Sequence, residues 1–168
     1  NNFKKYCDFG IHKNYITSQF KNINKRLPLK ISNNLSHQFL LEKILDYSNT
    51  EWNLILEDNV EINTEKFMNH CLPILEEANK YGSSFIQLYI HPKFINLQTK
   101  GNKEIYDNLY EMTFQMGSCA YFIKKSAIED FIQTYPLSNH IDIEYGNMIQ
   151  KWKSLSWVNS GITLSEKE

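Results

Sequence analysis

Residues 52–62 read WNLILEDNVEI, an apolar stretch from Trp52 to Leu56 that runs directly into Glu57, Asp58 and Asn59. A short run of strand formers bounded by polar residues reads as a buried strand, here one expected at the centre of a sheet. Two carboxylates and an amide oxygen at its end resist burial, so they must lie where water or a ligand meets them. In open α/β sheets ligands collect beyond the carboxyl ends of strands. Hard oxygen donors at this spacing suit Mg²⁺ or Mn²⁺, which can hold a diphosphate, although solvated acids at an ordinary strand exit give the same pattern.

The rest of the chain alternates between helical and strand periodicity. Leu35, Phe39, Ile44 and Tyr47, with Leu40 and Leu41, keep helical spacing, and Asn33 or Asn34 is placed to cap that helix. Asn63 is placed to cap a second helix with Phe67, Cys71, Leu72 and Leu75 on one face. Pro73 is expected to kink it and Gly82 to end it. Residues 84–90 read as a strand stopped by Pro92, residues 93–108 as a polar loop or hairpin, and 109–123 as two strand segments broken near Gly117. Ser126 and Glu129 have capping-box spacing ahead of a helix through Phe131 and Ile132. Asp142 is expected to open a helix to about Trp152, with a short strand after it. Residues 1–34 are polar and weakly periodic and carry no assignment. Strands alternating with helices make the expected class α/β, a sheet flanked by helices.

With 168 residues, 42% of them hydrophobic, and no internal repeat or linker, the chain is expected to form a single domain, 1–168. Net charge is −1 and no basic stripe interleaves with aromatics, so nucleic acid is not an expected partner. A metal-dependent nuclease would need cations around its acids, and the nearest in sequence here is Lys66; Arg26 is the sole arginine. No run approaches the roughly 18 apolar residues of a membrane span. The chain lacks an initial Met and reads as cut from a longer protein, with room for a neighbouring domain. Cys7, Cys71 and Cys119 are scattered and odd in number, which reads as free thiols and favours a reducing, cytoplasmic setting.

The order Ser36-His37, then LILEDNVEI, then FIQLY, then GSCAYFIKKSAIEDF, then Asp142 resembles glycosyltransferase family 25, which includes lipooligosaccharide glycosyltransferases and collagen hydroxylysine galactosyltransferases. The resemblance spans roughly residues 35–160. It implies a GT-A-like nucleotide-diphosphosugar fold and transfer of a sugar, galactose or glucose, from a UDP-sugar donor to a hydroxyl of a glycan or a hydroxylysine-type protein acceptor. The sequence departs from the family pattern at Asn59, where an aspartate is usual, and residues 1–34 show no counterpart of the family's N-terminal nucleotide-binding strand. Those departures favour an alternative, a non-catalytic binding or assembly module of the same fold.

The resemblance also implies roles. Glu57 and Asn59 are the expected ligands of a Mn²⁺ or Mg²⁺ ion, with Asp58 beside them in the donor site. Ser36 and His37 are expected at a helix start, where backbone N–H groups would meet the donor diphosphate. Gly117 and Ser118 are expected where the chain passes close to the sugar. An inverting transfer needs a base for the acceptor's proton; Asp142 is the first candidate and Glu144 the second. Each has a plain structural reading as well: Asp142 as a helix cap, Glu144 on a solvated face, Ser36 as a cap, His37 as a bonded interior histidine, Gly117 in a bulge. His12, His70, His91 and His140 share no metal spacing, and only His140, two residues before Asp142, stays in view. Trp52, Tyr89 and Tyr121 have rings able to stack on a sugar, though strand aromatics more often fill a core.

Overall fold

The computed structural model describes residues 2–17, 27–115 and 117–165. Arg26 and the side chain of Cys7 lie outside the described residues. The helices are α1 Asn2–His12, α2 Leu27–Tyr47, α3 Thr64–Tyr81, α4 Ile95–Thr99, α5 Lys125–Ile132, α6 Ile141–Asn147 and α7 Ile149–Trp152, with a 3₁₀ turn at Pro92–Phe94. The strands are β1 Trp52–Leu56, β2 Val60–Ile62, β3 Phe85–Gln87, β4 Glu104–Tyr106, β5 Leu109–Glu111, β6 Ala120–Lys124, β7 Leu155–Trp157 and β8 Ile162–Leu164.

Six strands make one mixed sheet in the order β1-β6-β3-β7-β5-β4, and β2 pairs with β8 in a separate ribbon. β6 runs antiparallel to both neighbours, β1 and β3, whereas β3 and β7 are parallel. Strand β6 is buried on both faces and shows the two-residue alternation directly. Tyr121 and Ile123 enter the core beneath the helices α5, α6 and α7, while Ala120 and Phe122 enter the core beneath α3. The first core is closed by aromatic packing: Phe85 stacks on Tyr121 at 5.1 Å between ring centroids and on Trp152 at 5.6 Å, and Phe131 meets Tyr145 at 4.9 Å.

Helix α3 obeys its sequence signals at both ends. The Asn63 side chain accepts the backbone N–H of Lys66 at 3.0 Å, and Gly82 closes the helix in the left-handed region at φ 80°. Pro73 does not divide it: α3 runs unbroken for 18 residues. The carbonyl that Pro73 cannot bond belongs to Asn69, an exposed residue, so water can satisfy it.

Four other expectations change. β1 lies at the edge of the sheet rather than its centre, with Ile55 buried but Leu54 37% and Leu56 38% exposed. An apolar run cannot separate the two cases, because an edge strand still packs its faces against helices. Helix α2 starts at Leu27, well before Leu35, so Asn33, Asn34, Ser36 and His37 are interior helix positions. The Ser126 capping box does not form: α5 starts at Lys125 without a side-chain cap, because the Lys125 N–H continues the β1–β6 ladder to the Glu51 carbonyl at 3.1 Å. Finally, His140 rather than Asp142 occupies the cap position of α6.

Among the described residues no helix is long and apolar enough to cross a membrane.

Candidate functional site

A cleft of about 700 Å³ opens beyond the carboxyl end of β1, within the size range of small-ligand sites. One wall is α2, contributing Lys30, Asn33, Ser36 and His37; Glu57 and Asp58 come from the end of β1, and His140 from the turn before α6. Segments more than a hundred residues apart in sequence therefore share one surface. Asn34, which reads in the sequence as a helix cap, joins them. From inside α2 its buried amide donates to the Asn139 carbonyl at 2.9 Å and accepts the Ile141 N–H at 2.8 Å. That two-ended clamp sets the backbone on either side of His140.

The cleft floor holds a chain of hydrogen bonds. His37 Nε2 lies 3.5 Å from Glu57 Oε1, and its Nδ1 lies 2.8 Å from the Tyr121 hydroxyl, which lies 2.8 Å from that of Tyr145. A carboxylate accepts only, so His37 presents N–H at Nε2; Nδ1 then accepts the Tyr121 proton, and Tyr121 accepts that of Tyr145. Ser118 adds its hydroxyl to Glu57 at 3.5 Å, and Asn33 donates to Ser118 at 3.3 Å. The carboxyl of Glu57 is held below its ordinary range, first by the His37 hydrogen bond, against the opposing effect of partial burial, and further by the charge of His37 whenever that ring is protonated and by Ser118 and Asn33.

A second carboxylate–histidine pair stands across the cleft. His140 Nδ1 lies 2.5 Å from Asp142 Oδ1. The Asp142 carboxylate also accepts the Ile143 N–H at 2.9 Å and the Gly117 N–H at 3.3 Å. Burial alone would raise the Asp142 pKa; the His140 hydrogen bond, the charge of that ring whenever it is protonated, and the two backbone amides outweigh it, and the carboxyl titrates below its ordinary range. Gly117 has φ 80°, and nothing lies near where a Cβ would project, so the glycine answers the left-handed backbone rather than a close approach. Residues 117 and 118 thus touch both pairs, Ser118 at Glu57 and Gly117 at Asp142.

Of the residues singled out in the sequence, Ser36, His37, Glu57, Asp58 and His140 line the cleft, and Gly117, Ser118 and Asp142 stand directly behind it. Ser36 is exposed on the helix wall, but as a mid-helix residue it brings no free backbone N–H groups for an anion. Glu144 is turned away from the cleft: it accepts from the Asn139 backbone and side chain at 2.9 and 3.0 Å and from Asn147 at 3.1 Å, bracing α6. Tyr121 is fully buried, Trp52 packs edge-on to Phe122 beneath Lys124, and Tyr89 lines a separate cavity of about 330 Å³ beside Ser160 and Gly161. His70 pairs with Asp107 at 3.4 Å, and His91 accepts the Lys93 N–H at 3.2 Å, both away from the cleft. The members of this hydrogen-bond network whose contacts the sequence did not announce are Asn33, Asn34 and Tyr145, whose partners are all distant in the chain.

The donor set bears on the expected metal. Asn59 lines no part of the cleft: its side-chain oxygen is buried without a partner among the described residues, and its carbonyl accepts Ser165. Glu57 is engaged by His37 and Ser118. Among the described residues no three His, Cys, Asp or Glu side chains form a group able to hold a metal ion. Asp58 is exposed and carries no partner among the described residues, so a divalent ion here would rest on Asp58 and on oxygens brought by a ligand. No protein-family model matches the sequence, and a search of curated proteins gave no significant match.

Proposed function

We propose that the chain is a glycosyltransferase with a GT-A-like fold, resembling glycosyltransferase family 25, that moves galactose or glucose from a UDP-sugar to a hydroxyl of a glycan or hydroxylysine-type acceptor. The observation that carries this reading is convergence. Ser36-His37, Glu57-Asp58, Gly117-Ser118 and Asp142, scattered over more than a hundred residues and chosen from sequence order alone, meet at or directly behind one cleft beyond a strand's carboxyl end. A mixed sheet with helices on both faces supports the architecture at a coarser level.

In this reading the diphosphate lies between Asp58 and Lys30, the one lysine or arginine among the described residues lining the cleft. Mg²⁺ or Mn²⁺ held by Asp58, diphosphate oxygens and water would supply neutralisation of the charge growing on the leaving group. His37 and Ser118 keep Glu57 ionised and fixed at the cleft floor, oriented to accept a sugar hydroxyl. The walls of α2 and the α6 turn hold donor and acceptor in register and limit water access.

One observation favours the second reading, a binding or assembly module without catalysis: Glu57 Oε1 is taken up by His37 and Ser118, and Asn59 does not line the cleft, so the expected metal ligands are not gathered there. Calorimetry of UDP with and without Mn²⁺, on the native protein and on Asp58→Ala and Glu57→Ala, followed by assay of UDP release from UDP-glucose and UDP-galactose, separates the two. Metal-dependent UDP binding lost in Asp58→Ala, with turnover, supports the transferase. Binding without turnover supports the module, and no UDP binding under any condition ends both donor-site readings.

A further inference from the structure

Among the described residues two carboxyl groups and two imidazoles line the cleft: Glu57, Asp58, His37 and His140. Their hydrogen bonds sort them. Glu57 accepts His37 and Ser118 at Oε1 and, in the transferase reading, holds a sugar hydroxyl at the cleft floor, and the lone pair of His37 is taken up at Nδ1 by the Tyr121 hydroxyl. His140 is arranged the other way round. Its Nδ1 faces the ionised Asp142, which can only accept, so the proton of the neutral ring sits on Nδ1 and the lone pair on Nε2. Nε2 of His140 has no partner among the described residues, and the ring is about one-fifth exposed at the cleft wall, 18% by side-chain area. Asp142, 24% exposed by side-chain area, does not line the cleft, and both of its oxygens are already accepting, from His140, Ile143 and Gly117. The two histidines of the cleft therefore hold opposite tautomers, and only one of them offers a base.

We infer that His140, and not Asp142, takes the proton of the acceptor hydroxyl, and that Asp142 is the positioning residue that aims it. The inference rests on the transferase reading of the cleft. The acceptor oxygen forms its bond to the anomeric carbon as the bond from that carbon to the diphosphate oxygen breaks, the electron pair leaving with the diphosphate. The acceptor's proton passes to His140 Nε2, and the resulting imidazolium is stabilised by Asp142 across the 2.5 Å contact until solvent removes the proton. The Asn34 clamp on residues 139 and 141 fixes the ring's place while Asp142 fixes its orientation.

Two measurements on the full chain test this. Long-range ¹H–¹⁵N spectra of the resting protein report the tautomer of each ring without turnover: the Nδ1–H form is expected for His140 and the Nε2–H form for His37, with His140 becoming a mixture in Asp142→Asn. UDP release from UDP-galactose or UDP-glucose, with water as acceptor, then reads the chemistry. His140→Ala is expected to lower kcat by about 10²- to 10⁴-fold with little change in KM. Added imidazole should restore part of that loss in His140→Ala and none in Asp142→Asn, an outcome that general structural damage does not produce. An Nε2–H tautomer at His140 in the native protein overturns the inference. So does turnover in His140→Ala within threefold of native while Asp142→Asn is dead, which returns the base to Asp142. Absence of UDP release from the native protein is a different failure: it overturns the transferase reading and takes the role of His140 with it.

Discussion

The Tyr121 hydroxyl lies 2.8 Å from Nδ1 of His37, a residue 84 positions away, and both side chains are buried. The pair couples β6, a strand buried on both faces, to the floor of the cleft. Tyr121→Phe keeps the ring stacked on Phe85 and deletes only the hydroxyl, leaving His37 Nδ1 and the Tyr145 hydroxyl without partners. The expected cost is about 1–3 kcal/mol, measured as a lowered urea midpoint with an unchanged slope. His37 should also lose its single tautomer in the same ¹⁵N spectra. Unchanged stability with an unchanged His37 signal would show that the chain of bonds is not formed in solution.

Acid should weaken the fold through the two carboxylates of the cleft. Glu57 is held down chiefly by the His37 hydrogen bond; for Asp142 burial pushes upward, but His140 and two backbone amides prevail. A carboxyl whose folded pKa lies below its unfolded one stabilises the protein fully above the unfolded value and ceases to do so as pH falls through the folded value. Stability should therefore decline from about pH 5 downward, beginning in the ordinary carboxylate range. Urea midpoints taken across that range should fall less steeply in Glu57→Gln and in Asp142→Asn than in the native protein, although both variants start lower at neutral pH.

Asn59→Asp would introduce the acidic residue of the family 25 pattern that the sequence resembles, and the structure argues against any gain. The side-chain oxygen of Asn59 is buried with no described partner, and the residue does not line the cleft. A charge placed there is neither solvated nor paired, and the expected outcome is a loss of about 1–3 kcal/mol with no new Mn²⁺ binding by calorimetry. Tight Mn²⁺ binding gained without loss of stability would place Asn59 in the cleft after all.

The free edge of β1 carries Leu54 and Leu56, each more than a third exposed. Apolar edge strands pair with other chains unless a charge prevents it. Leu54→Lys is expected to suppress concentration-dependent association in sedimentation while moving stability by under about 0.5 kcal/mol. A native protein that stays monomeric at high concentration would mean that this edge is protected.

Local chemistry made much of this molecule legible. The unbroken apolar run of residues 120–123 suits a strand buried on both faces, and Asn63 and Gly82 bracket α3 because a cap side chain and a left-handed glycine act on their own immediate backbone. The acids after β1 marked the cleft for the same reason, since carboxylates must end where a strand leaves the core. The sequence by itself determined these elements and brought eight residues to the right neighbourhood. Their roles were beyond its reach. Whether β1 is an edge, where α2 begins, and that Asn34 clamps the 139–141 turn instead of capping a helix all depend on partners far away in the chain. The division of labour in the cleft is the sharpest case. A histidine's tautomer is set by whichever group meets its other nitrogen, Tyr121 for His37 and Asp142 for His140, and only the tertiary structure decides which lone pair is left facing the cleft.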